Sequence, residues 1–174
     1  MSRAGGLLLL ALLGWHVAEK LQHALLPEML WACHLATFLA AIGLLVDRPS
    51  LTVLGGMFHL VCGLPGWILE WSLNGTTPSS FALHVATPIA GVLAARRVGL
   101  PSWLALGGSA FWAIAWGLGR LCDPALNVNM AWRPYEVLPA SFPTWASHAL
   151  NLFLVAVFME TLRRVTHRRV FPAV

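Results

Sequence analysis

With 58% of its 174 residues hydrophobic and only 10% charged, the chain falls far below the roughly one-quarter charged content of a soluble domain. A mean hydropathy of +0.72 excludes a water-soluble fold, because no soluble core hides that much apolar surface. The net charge of +4 comes from arginines at the ends of apolar segments, where membrane topology explains them, so the expected partners are membrane lipids and not nucleic acid.

Six spans of about 20 residues each leave room for short connections only, which predicts a single all-α transmembrane domain over residues 1–174. The first span is Leu7 to Leu26, apolar until Trp15 and then carrying His16, Glu19, Lys20 and His23 before Pro27. Arg3 and the run Leu7 to Leu13 resemble the start of a signal peptide, but no A-x-A site follows, so the segment reads as a span. The second runs from about Met29 to Val46 and stops at Asp47-Arg48-Pro49, since proline disfavours helix at the residue before it. The third is Leu51 to Trp71, with a kink expected at Pro65. Ser72 to Ser80, with Asn74-Gly75 and Pro78, is a turn-rich loop. The fourth is Phe81 to Ala95, closed by Arg96-Arg97, and the fifth is Trp103 to Leu121. Cys122 to Thr144 is the one long connection, and the sixth span is Trp145 to Leu162, followed by the basic tail Arg163 to Arg169.

With the N-terminus inside, Arg3, Arg48, Arg96, Arg97, Arg163, Arg164, Arg168 and Arg169 lie on the inner side, against Lys20, Arg120 and Arg133 outside. Eight against three fits the positive-inside rule. The expected location is a bacterial cytoplasmic membrane with both termini in the cytoplasm.

The second and fourth spans open with the same words, His34-Leu35-Ala36-Thr37 and His84-Val85-Ala86-Thr87, and the sixth opens with His148-Ala149-Leu150-Asn151. Three helical hairpins of one plan would account for this. They would set His34, His84 and His148 at one depth, facing a shared cavity. His23, Glu28, Glu70, Arg120 and Asp123 lie within about two helical turns of the same outer ends, with His16 and His59 deeper. Ionisable side chains are costly inside a bilayer and usually face the bundle interior, where they mark function.

The chemistry of that outer cluster has more than one reading. His-x-x-Thr spacing puts imidazole and hydroxyl on one helix face, so His34 could orient or deprotonate Thr37 as a nucleophile. Three imidazoles, His34, His84 and His148, with His59 as a further candidate, could instead hold zinc, iron or copper with a position left open; haem would need two axial histidines on facing helices. Each histidine could also simply stitch two helices together. Transport fits least, since polar residues do not continue to the inner face. Trp112 and Trp116, one turn apart, could line an acyl or ring-shaped ligand, while the other tryptophans form an interfacial belt. Gly55-Gly56, Gly63, Gly66, Gly117 and Gly119 are expected to permit close helix packing. Cys33, Cys62 and Cys122 lack CxxC spacing and read as buried thiols.

Cys33-His34 at the opening of the second span, Leu83-His84 followed by Pro88 in the fourth, and Asn127-Val-Asn129-Met-Ala-Trp132-Arg-Pro134 before the last resemble the YwaF-like integral membrane proteins. That group includes an ether-lipid acyltransferase, and its layout is similar to the ADTRP-type intramembrane hydrolases. The resemblance covers roughly Pro27 to His148, with the Cys-His order in the second span reversed from the family's. It implies hydrolysis or acyl transfer on a lipid or other apolar acyl substrate. His84 would be the base, Thr37 or Cys33 the nucleophile, and His34 and His148 orienting groups. Substrate contacts are then expected from Trp112, Trp116, Glu70, Arg120, Asn129, Trp132 and Arg133.

Overall fold

A computed structural model describes residues 3–134, 139 and 141–170, without the side chains of residues 74 and 167–170. Every regular element among the described residues is helical. Six helices follow the six expected segments: α1 is Arg3–Gln22, α2 Ala32–Leu45, α3 begins at Pro49, α4 is Pro78–Val98, α5 Leu104–Gly119 and α6 Thr144–Val170. Four stretches, Arg3–Gln22, Pro49–Leu73, Pro78–Val98 and Thr144–Thr166, are long and apolar enough to cross a membrane. Large apolar side chains such as Leu106, Ile114 and Phe153 cover the exterior, which is what hydrocarbon solvates and water does not. The chain is a helical membrane bundle.

Two spans are shorter than expected. Helix α2 does not start at Met29: Leu26–Leu30 forms a single 3₁₀ turn entered through Pro27, and Trp31, at ψ 138°, turns the chain before helix resumes. Its 14 residues and the 16 of α5 rise only about 21 and 24 Å, less than the roughly 30 Å hydrocarbon core.

The other boundaries follow local chemistry. Proline opens α3 and α4 at a position where its missing N–H costs nothing, and Thr77 accepts a hydrogen bond from the Ser80 amide at 3.3 Å to cap α4. The kink expected at Pro65 takes a specific form. Helix α3 runs as Pro49–Phe58, passes through a π-helical turn at His59–Gly63, and continues as Leu64–Asn74. Pro65 can donate no backbone hydrogen bond, and just ahead of it the Leu64 amide reaches back to the His59 carbonyl. The widened turn puts His59 in the bundle interior, fully buried.

Small residues set the helix contacts. A Cβ on Gly56 would lie 2.3 Å from the Gly91 Cα, so α3 and α4 cross backbone to backbone; one on Gly55 would lie 2.4 Å from the Ala36 carbonyl oxygen of α2. Gly63 and Gly119 are similarly crowded, but Gly66 and Gly117 have nothing within 4 Å and do not serve packing. Helices α1 to α4 form one group around Ala36, Ala40, Ala41, Val53 and Phe58, and the α5–α6 pair closes on it through Trp112, Ala115, Val155 and Met159.

Candidate functional site

Between these two groups lies a cavity of about 930 Å³, whose wall includes His16, Cys33, His34, Trp67, His84, Trp112 and Asn151. Its volume is at the upper end of the range for small-molecule sites, roughly 300–1,000 Å³. Four histidines from four helices stand in a row on the α1–α4 side. The ring centroids of His16 and His34 are 4.8 Å apart, those of His34 and His84 6.4 Å, and those of His84 and His59 4.6 Å. Trp67 stacks on His84 with centroids 4.9 Å apart.

Each of the four rings is held through Nδ1. His34 donates to the Glu28 carbonyl at 3.0 Å and His84 to the Ser80 carbonyl at 2.8 Å. The Ser79 hydroxyl donates to the Glu19 carboxylate, so it accepts from His16 Nδ1 at 2.7 Å. Thr37 donates to the Cys33 carbonyl at 3.0 Å and therefore accepts from His59 Nδ1 at 3.3 Å and from Thr87 at 2.9 Å. A neutral imidazole carries one N–H, which leaves Nε2 of each ring as an acceptor. Nε2 of His59 and of His84 is buried and without a hydrogen-bond partner.

This geometry corrects several expectations. Thr37 is not paired with His34, whose Nδ1 is taken by Glu28; its imidazole partner is His59, brought across from α3 by the π turn. Its hydroxyl is fully buried and bonded to the Cys33 carbonyl, His59 and Thr87. The two matching threonines, Thr37 and Thr87, do meet, so the shared wording of α2 and α4 corresponds to paired positions. The third member departs. His148 packs on Trp116 and Trp112, at 4.5 and 6.5 Å between centroids, and is in ring contact with no other histidine. The set His34, His84 and His148 is therefore not assembled, and among the described residues no three His, Cys, Asp or Glu side chains stand where they could hold a metal ion.

Cys33 lines the cavity with His59 behind it. The position a Cβ would take on Gly63 is 3.2 Å from the Cys33 Cβ and 2.9 Å from His59 Cδ2, the ring carbon bonded to the free Nε2. A side chain at residue 63 would fall between the Cys33 Cβ and the His59 ring, so glycine is what lets the two side chains approach, although no hydrogen bond joins the thiol to Nε2.

Of the expected substrate contacts, Trp112, Glu70 and Asn129 line the cavity. Trp116 lies behind it against His148. Asn129 has no donor to spare: its Nδ2 donates to the Leu30 and Ala115 carbonyls at 2.8 and 2.6 Å, and its Oδ1 accepts from the Ala32 amide at 2.7 Å. A loop residue almost a hundred positions away thus caps the first amide of α2. Arg120, Trp132 and Arg133 lie outside the cavity wall and fold the loop. Arg120 sits 3.8 Å over the Trp132 ring and donates to the Ala131 carbonyl at 3.1 Å, while Asn127 accepts from the Trp132 and Arg133 amides. At the rim Lys20 pairs with Glu28.

No family model, curated protein or solved structure matches the chain.

Sequence reasoning passed over His16 and Asn151 as site residues and gave His59 only a metal role. His59 stands outside the His-x-x-Thr pattern, and its one signal was Pro65, six residues on, which marks where the α-helical ladder must yield.

Proposed function

We propose that the chain is an intramembrane enzyme that hydrolyses or transfers the acyl group of a lipid-like substrate, with Cys33 as nucleophile. The observation that carries this reading is the grouping of Cys33, His59 and Thr37: a cysteine in a cavity wall, an imidazole across Gly63 from its Cβ with an unpartnered Nε2, and a hydroxyl fixing that imidazole through Nδ1. A nucleophile, a base and a group orienting the base make up the recurring plan of covalent acyl transfer. The resemblance of Cys33-His34, His84-Pro88 and the Asn127–Pro134 segment to an acyltransferase-containing family agrees with it.

In the proposed cycle His59 Nε2 takes the Cys33 proton as the sulfur attacks the acyl carbonyl. The C–O bond to the leaving alcohol breaks and the alcohol takes that proton, leaving a thioester. Water or an acceptor alcohol, hydrogen-bonded to His84 Nε2, then attacks the thioester, and its proton passes through the imidazole to the departing thiolate. His34 and His16 extend the acceptor wall. Purified protein given a mixture of acyl lipids should release or transfer acyl chains, and Cys33→Ala should abolish this while melting normally. Turnover unchanged in Cys33→Ala would exclude the thiol as nucleophile.

A second reading is supported by the tautomers. Histidines that ligate metals almost always donate their other N–H to a carbonyl or carboxylate, as His34 and His84 do. Zinc or iron would need these rings to swing together, and haem would need two of them to face each other across the cavity. Metal analysis of the same preparation separates the readings. Stoichiometric metal lost on His34→Ala or His84→Ala, with no Cys33-dependent turnover, would favour metal binding.

The site is proposed to open toward the outside, with both termini cytoplasmic, on the eight-to-three distribution of arginine and lysine. Reporter fusions after Arg48, Arg97 and Val174 should read cytoplasmic and those within residues 72–80 external. An external C-terminus would reverse the orientation.

A further inference from the structure

The cavity has a second polar side that the proposed chemistry leaves unused. Trp112 of α5 and Asn151 of α6 both line it, and Trp112 Nε1 and Asn151 Nδ2 are both buried without a hydrogen-bond partner. Trp112 is 7% exposed. The two belong to one patch, because Asn151 lies one turn beyond His148, whose ring packs beside that of Trp112. An unpaired buried N–H is costly to keep, and few are left in a finished fold without a cause such as a ligand. Packing accounts for the ring of Trp112, which stacks on Phe58 at 6.4 Å, but not for its N–H, since phenylalanine would stack as well.

The opposite side has the contrary chemistry. There the Nδ1 protons of His16, His34 and His84 are already committed, so the histidines offer acceptors. Phe58, Val61, Leu154 and Phe158 supply apolar wall between the two sides. A neutral donor pair on one side, acceptors on the other and hydrocarbon between them suit a long-chain amphiphile whose head offers an oxygen to the donors.

We infer that Trp112 and Asn151 form the subsite for the acyl oxygen of that amphiphile, a carbonyl or carboxylate oxygen accepting from indole Nε1 and amide Nδ2 while the chain lies along the apolar wall. The inference rests on the reading of the cavity as an acyl-compound site, but not on Cys33 chemistry.

The test is equilibrium binding to the full chain in lipid nanodiscs, with three labelled C18 probes: oleate, oleylamine and octadecene. Oleate should bind more tightly than either of the others. Trp112→Phe and Asn151→Leu should each weaken oleate at least about tenfold, with octadecene unchanged. Asn151→Leu should also raise the melting temperature of the unliganded protein, because it removes a buried donor that had no partner. Oleate bound equally by wild type and both variants would overturn the subsite, as would oleylamine weakened by the two variants as much as oleate. Parallel loss of octadecene would show that the variants had only reshaped the wall, and would overturn it too. The measurement is repeated on Cys33→Ala. Donor-dependent oleate binding in a protein that turns nothing over keeps the subsite and removes the enzymatic reading. Cys33-dependent turnover with no role for Trp112 or Asn151 does the reverse.

Discussion

Gly56→Leu is expected to be the most destabilising single substitution in the bundle, lowering stability by about 3 kcal/mol or more. The first atom of the new side chain would fall 2.3 Å from the Gly91 Cα, and a Cβ on Gly91 would in turn meet Gly56 at 2.6 Å. The neighbour in both cases is backbone, which cannot rotate away as a side chain can, so α3 and α4 must separate. That crossing also sets the distance between His59 on α3 and His84 and Thr87 on α4, so the site should come apart with it. Gly14→Ala is the control. It lies mid-helix in α1 with nothing within 4 Å of its would-be Cβ, and replacing it should stabilise by up to about 1 kcal/mol through helix propensity. Thermal melts of the two variants in one detergent decide the point. Equal melting temperatures would mean that α3 and α4 are not in backbone contact.

His59→Gln and His84→Gln are expected to stop the reaction at different stages. A positioned general base contributes about 10²–10⁴-fold, and glutamine keeps a polar side chain without a base. In His59→Gln the Cys33 thiol keeps its proton, so the burst of acylation should fall at least about 100-fold. In His84→Gln acylation should proceed, but water or acceptor alcohol is not activated, so a rapid first turnover should be followed by near arrest. Thr37→Val removes the acceptor that holds His59 Nδ1 and should slow acylation less than loss of the ring itself. Single-turnover kinetics with a labelled acyl lipid read both phases. If the two histidine variants lose the same phase, they do not divide the work as proposed.

The fold was largely readable in the sequence, because the bilayer sorts residues by hydropathy and the helix stops are written in proline, glycine and arginine. Where the reading of the site failed, it was in the direction a side chain faces. His34, His84 and His148 each open a helix, but which way a side chain faces depends on how that helix is rotated in its packing. The rotation is set by contacts such as Gly56 against Gly91 and Gly55 against Ala36, which pair residues far apart in sequence. His148, on α6, whose Val155 and Met159 pack against Gly108 of α5, faces Trp116 and not the row of histidines. Asn129 was visible as an unusual polar residue in a long loop, but its partners come from two distant parts of the chain, Leu30 and Ala32 before α2 and at its start and Ala115 in α5, and only the folded protein shows that they take both its amide protons. His59 was named only as a possible metal ligand, because its pairing with Thr37 joins α3 to α2 across 22 residues and no local pattern records it.

The central claim is that an acyl group passes through Cys33, and peptide mass analysis after incubation with an acyl lipid tests it most directly. In His84→Gln, where the thioester should persist, the peptide containing Cys33 should gain the mass of one acyl chain, sensitive to hydroxylamine at neutral pH and absent when Cys33 is replaced by alanine. An acyl chain on no residue, or on Thr37 in place of Cys33, while the preparation still turns over lipid, would contradict the account.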